Sequence, residues 1–264
     1  MRTIKKVPEM PQYIHNFVQS IEDINLLCDS HIQSLITINK KKLNKKELII
    51  SEQPTIYIKS ALIVLSSTWE AFIEDLIEFA FTKMIDICTD SDLLPKLLKK
   101  EIIKNLSKSK NELELWKLTA AGWKDSAKEL VKEELAKLNS PYIKNIDMIF
   151  SKMFGIKQFS ACLTWDVEYQ NEVRVFSTNF NTEMITDLVN IRNSLAHGRK
   201  ADFPVPISLK LYNILKNIIV NCAFIMNNSI NKYISDTYGG FSYNALRSNI
   251  DFSEMFLLAN PMLD

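Results

Sequence analysis

"ITDLVNIRNSLAHG", residues 185–198, decides how the rest of the chain is read. Ile185, Leu188, Val189 and Ile191 recur at helical spacing, and the run ends on Gly198, a residue type that stops helices. Such a helix carries Arg192, Asn193 and His197 near its C-terminus. Arg192 and His197 are five apart, which on an α-helix separates them by roughly 140° and about 7.5 Å along the axis. They do not share a face, yet both long side chains reach a groove at the helix edge. Asn193 and His197, four apart, do share a face, and Ser194 lies three before the histidine.

Two readings of these residues stay open. Arginine binds phosphate oxygens in a bidentate fork and stabilises charge that builds in a transition state, while histidine titrates near neutrality and moves protons. The same residues also suit a plain helix end, where cations are favoured and glycine closes the last turn.

Outward from this stretch the chain is helical. From about Tyr13 to Lys41 the residues Ile14, Phe17, Val18, Ile21, Ile24, Leu27, Leu35 and Ile38 form an apolar stripe, with His31 on or beside it and His15 off it. Pro54 opens a second helix that runs from Thr55 to about Cys88 without Gly or Pro. Its first half is nearly all apolar. In its second half Glu70, Glu74 and Glu78 stack four apart with Asp75 close by, which is a solvent face or a rank of acids aimed at a basic motif.

Residues 90–140 read as two shorter lysine-rich helices around Ala120-Ala121-Gly122, anchored by Trp116 and Trp123. Residues 139–156 form a helix begun by Asn-Ser-Pro and ended by Gly155. Residues 164–182 are the least helical part and read as an ordered loop. The motif helix starts at Thr182, and a last apolar helix covers 207–233 before a turn-rich tail.

Five glycines and eight prolines are few for 264 residues, and no G-x-G-x-x-G or G-x-x-x-x-G-K-[ST] occurs. A dinucleotide or P-loop fold is therefore disfavoured and long helices are favoured. The net charge of +1 gives no global field toward nucleic acid. The charge is patchy all the same: residues 39–46 hold five lysines and no acid, and Lys96 to Lys137 holds 11 lysines against 7 acids. Such runs are solvated faces or RNA contacts.

Cys28, Cys88, Cys162 and Cys222 are far apart, form no C-x-x-C pair and read as small core residues. No secretory h-region and no run of 18 apolar residues appears, so a soluble cytoplasmic protein without membrane partners is expected. No H-E-x-x-H, paired-histidine or aspartate cluster is present. Phosphodiester cleavage is then expected to need no metal or other cofactor, with the RNA 2′-hydroxyl as internal nucleophile. That chemistry needs a base and an acid, and the motif supplies one histidine. A homodimer with two motifs face to face meets the shortage, and Glu70 or Glu74 is the alternative.

"RNSLAHG" preceded by "ITDLVNI", together with "LSSTWEAFIEDLIEFA" upstream, resembles the HEPN superfamily, whose signature is Arg, four residues, then His. The chain is most similar to the larger bacterial members grouped as RiboL-PSP-type HEPN domains, over roughly residues 50–235.

The resemblance implies an all-α antiparallel bundle with extra helices inserted between the second long helix and the motif helix. It implies one domain over 1–264, with a core at about 13–90 and 182–233, an insertion at about 91–160 and a tail from 235. It further implies an endoribonuclease, dimeric through the motif helix, with Arg192, Asn193, His197 and Glu70 as the catalytic set. Arg199, Lys200 and Glu74 are the candidate RNA contacts. The chain departs from many members after the histidine, where Gly198-Arg199-Lys200 replaces a polar-x-aromatic continuation. The expected setting is a bacterial defence or toxin–antitoxin system with an antitoxin or defence partner. The alternative is a non-catalytic HEPN module that binds RNA or protein.

Overall fold

A computed structural model describes residues 10–42, 56–108, 118–138, 140–169, 172–198, 206–239, 243, 245 and 246. Over these residues the protein is all-α, apart from one small antiparallel hairpin. The helices are α1 (Gln12–Lys42), α2 (Ile56–Ile87), α3 (Lys96–Lys108), α4 (Gly122–Leu135), α5 (Ile143–Phe154), α6 (Thr178–Ala196) and α7 (Leu209–Tyr238). The hairpin strands are β1 (Trp165–Tyr169) and β2 (Glu172–Phe176).

The chain divides into two compact units, and α2 and α7 each contribute to both. One unit takes Pro11–Ala71 and Thr164–Cys222. Its part of α2 buries Ile58, Ala61, Leu62, Leu65 and Trp69, an i, i+3, i+4 pattern that turns one apolar stripe inward. Each fully buried aliphatic side chain contributes about 1.5–3 kcal/mol. From α1, Ile14, Phe17, Ile21 and Ile24 are buried. The Asn25 carbonyl oxygen accepts from Tyr212 Oη and Lys216 Nζ, both at 3.2 Å, which ties α1 to α7.

The second unit takes Phe72–Leu163 and Ala223–Arg247. Its core stacks Phe150 on Phe159 at 3.7 Å between ring centres and sets Phe81 edge-on to Phe154 at 6.0 Å. Lys152 of α5 reaches Glu134 of α4 at 2.7 Å and Glu101 of α3 at 3.5 Å, so one ammonium joins three helices. Gly155 ends α5 with φ +78°, a left-handed conformation in which a side chain would be strained. Trp123 is buried as expected, whereas Trp116 lies outside the described residues. Cys28, Cys88 and Cys222 are buried, but Cys162 is only half-buried; all four are free thiols.

α2 and α7 each hold an 18-residue window of mean hydropathy 1.3, enough by length and composition to cross a membrane. The α7 window is 67% buried and the α2 window 44%, as suits helices that supply the core of a folded bundle.

Four boundaries differ from the sequence reading, and one of them is the end of α7, which runs on to Tyr238 where a turn-rich tail was expected from 235. Residues 165–169 and 172–176 are strands rather than loop, because Trp165, Val167 and Tyr169 alternate with polar residues in the sequence, as do Val173 and Val175. Trp165 pairs with Phe176 in register, and their rings stack at 5.5 Å. α6 begins at Thr178 instead of Thr182, since the Ser177 hydroxyl caps it by accepting from the Phe180 N–H at 3.3 Å. α5 begins at Ile143 behind Tyr142, which provides no side-chain cap, so Asn-Ser-Pro lies before the helix rather than at its start.

Candidate functional site

The site is built on α6, in the unit that also holds α2 up to Ala71. α6 buries Asn181, Ile185, Leu188, Val189 and Ile191, and the Asn181 amide donates to the Phe176 carbonyl at 3.1 Å. This packing fixes the rotation of the helix. Arg192 falls on the edge of the inward face, its side chain 33% exposed. Its Nη1 donates to Asn193 Oδ1 at 3.0 Å, and its Nη2 lies 3.7 Å from Glu70 Oε2 on α2. Glu70 is 22% exposed. A pair this long and this wet contributes about 0–1 kcal/mol to folding. Its consequence is geometric, since it holds the guanidinium at a fixed place on the surface.

His197 is the residue that closes α6. Its backbone N–H donates to the Asn193 and Leu195 carbonyls while its side chain is exposed. Gly198 follows at φ +63°, with no atom within 4 Å of where a Cβ would stand. The glycine is there for its backbone conformation, not for space. The helix-end geometry is therefore realised, and it leaves the imidazole facing solvent. No hydrogen bond or ion pair joins Arg192 to His197 among the described residues, in keeping with their separation around the helix.

The expected set is thus divided. Arg192 contacts both Asn193 and Glu70, and His197 stands apart from it at the same helix end. Glu74 follows Glu70 by one turn of α2 and is half-buried, while Asp75 and Glu78 are exposed. Although Asp75 as a whole is exposed, partial loss of hydration at its carboxyl and the neighbouring Glu78 raise that group above its ordinary range. Arg199 and Lys200 lie outside the described residues, as do the side chains of His31 and of Lys40 to Lys46.

In the Lys96 to Lys137 region several lysines already have partners within the protein. Lys128 is 2.8 Å from Asp86, Lys137 is 2.8 Å from Glu134, and Lys124 donates to the Asp86 carbonyl at 3.2 Å. Among the described residues, no group of three or more His, Cys, Asp or Glu is placed to hold a metal ion.

One feature escaped the sequence reading. Glu183, Thr186, Asp187, Asn190, Asn193, Ser194 and His197 form a single exposed or half-buried polar stripe along α6. Burial and the adjacent Glu183 raise the Asp187 carboxyl above its ordinary range. The three-and-four spacing of these residues was the available signal, masked by attention to the apolar face opposite.

No curated protein and no solved structure matches the chain. The family comparison matches RiboL-PSP-HEPN over residues 29–236, a span that takes in α2, the inserted helices and α6. This match suggests a nuclease or an RNA-binding module. With most of its length matched, from within α1 to within α7, the chain belongs to the RiboL-PSP-HEPN family.

Proposed function

We propose that the protein is a metal-independent endoribonuclease that works as a homodimer, with the two copies of α6 at the interface. The observation that carries this reading is the arrangement of Arg192. Its guanidinium is held by Glu70 and Asn193, with donors to spare, at the helix end from which His197 projects into solvent.

The RNA 2′-oxygen attacks the adjacent phosphorus and loses its proton to a base. The P–O5′ bond breaks, and the 5′-oxygen takes up a proton as it leaves. The products are a 2′,3′-cyclic phosphate and a free 5′-hydroxyl. Arg192 binds the phosphate oxygens and offsets the negative charge of the phosphorane-like transition state, while His197 moves a proton. Two histidines, one from each protomer, meet the need for both an acid and a base. Glu70 orients Arg192, and Arg199 and Lys200 add charge for the RNA backbone. A role in bacterial defence, restrained by an antitoxin-like partner, suits a small nuclease of this kind.

Incubation of the purified protein with RNA, in EDTA and beside His197→Ala, tests the reading. Cyclic-phosphate ends from the wild type alone support it. Dependence on magnesium with 5′-phosphate ends refutes it, as does absence of cleavage. The second reading, an RNA-binding module, is favoured by one observation: His197 and Gly198 complete an ordinary helix end. It predicts salt-dependent RNA binding that survives joint replacement of Arg192 and His197 by Ala.

A further inference from the structure

The polar stripe of α6 is asymmetric in charge. Glu183 and Asp187 occupy its N-terminal half, His197 closes its C-terminal end, and Arg199 and Lys200 follow in sequence. Asp187 is half-buried, and no cation lies within ion-pair distance of it among the described residues. His197 is exposed and has no side-chain partner among them. Within one helix Asp187 and His197 are about 15 Å apart along the axis, so they cannot meet in the same chain.

A second copy of α6 laid antiparallel across this stripe removes the mismatch. With the two-fold axis crossing the stripe at the level of position 192 along the helix, residue 187 of one copy lies opposite residue 197 of the other. Asn190 and Ser194 then face each other across the centre, where small polar side chains let two helices approach to about 8–10 Å. A parallel arrangement would instead set acids against acids. Charge complementarity thus selects one occupant and one direction.

We propose that a second copy of the chain packs antiparallel on this stripe and that its Asp187 carboxylate accepts a hydrogen bond from the His197 imidazole of the first. Each histidine is then oriented across the two-fold by the other protomer, its tautomer set by the carboxylate. Asp187 is a positioning residue, and the site in one chain is incomplete without it. This inference rests on the dimeric ribonuclease reading and adds the residue that the partner copy contributes.

Two measurements test it. In the double variant D187C/H197C, oxidation yields dimers whose linked peptides join 187 to 197 by mass spectrometry. A disulfide needs Cα atoms within about 7 Å, so the link cannot form within one helix. In the second, chains carrying Asp187→Asn and chains carrying His197→Ala are co-expressed with different tags, and mixed dimers are isolated. Each homodimer loses about tenfold or more in cleavage rate. The mixed dimer holds one histidine and so stays below the wild type, but it pairs that histidine with Asp187. It exceeds by about tenfold the mixed dimer of wild-type and D187N/H197A chains, which also holds one histidine but sets it opposite Asn at 187.

Absence of the 187–197 link, or equal rates in the two mixed dimers, overturns the inference. The two readings fail separately. A wild type that cuts no RNA while the 187–197 link forms refutes the nuclease and keeps the contact. Cleavage without the link and with equal rates in the two mixed dimers refutes the contact and keeps the nuclease.

Discussion

In the unit built on α3, α4 and α5, Lys152 sits 2.7 Å from Glu134 and 3.5 Å from Glu101. In the unit that carries α6, Arg192 sits 3.0 Å from Asn193 Oδ1 and 3.7 Å from Glu70. Both cations are partly covered, at 21% and 33% exposure. Lys152 divides its ammonium between two carboxylates of a three-helix junction. Arg192 has five N–H donors in a rigid fork and, among the described residues, engages one amide and one distant carboxylate. A cation that holds helices together is matched by acid. Arg192, which the proposed function assigns to a phosphate, is steadied but left with donors to give.

Removing Arg192 draws this distinction most sharply. Arg192→Ala is expected to lower RNA cleavage on the order of a hundredfold or more, the scale of a lost charge stabiliser. Unfolding stability should fall by less than about 1 kcal/mol. Cleavage assays beside urea denaturation check both, and a large loss of stability with normal turnover would erase the contrast.

Lys152→Met is expected to behave in the opposite way. It leaves Glu134 to Lys137 and Glu101 to Lys104 under partial cover and costs about 1 kcal/mol of stability, while the rate per folded molecule stays at the wild-type value. Denaturant midpoints and active-site-normalised rates read the two effects separately.

Glu70→Gln sharpens the claim that Arg192 is steadied. The neutral amide weakens the hold on the guanidinium, and the rate should fall by about tenfold with little change in melting temperature. Wild-type activity in this variant would remove Glu70 from the site.

The smallest effect is in acid. Burial acts to raise the Glu134 carboxyl, but hydrogen bonds from Lys137 and Lys152 outweigh it and hold the group below its ordinary value. A carboxylate lowered in the folded state adds stability that is present above its unfolded value and lost as pH falls through the folded one. Stability measured from pH 6 to pH 3 should therefore drop more steeply in the wild type than in Glu134→Gln, by under about 1 kcal/mol.

Most of the helical architecture was legible in the residues themselves. Local spacing determines a helix wherever apolar residues recur every three or four positions without Gly or Pro, as from Ile56 to Ile87. The burial of Trp69 and the stop at Gly155 follow from single residue types. The hairpin at 165–176 was missed because each strand is only five residues long, too short for its alternation to outweigh the polar residues between.

Residue spacing alone did not decide which acid meets the motif, although the family resemblance named Glu70. Glu70, Glu74 and Glu78 repeat at identical spacing on one helix and are locally equivalent, so only the packing of α6 beside the end of the Ile58–Trp69 stripe selects Glu70 for Arg192. The same holds for the outward imidazole. Spacing along α6 says that Arg192 and His197 cannot share a face, but the rotation of the helix decides which of them turns inward. That rotation is set by burying Ile185, Leu188, Val189 and Ile191 against residues distant in sequence, and tertiary contact alone determines it.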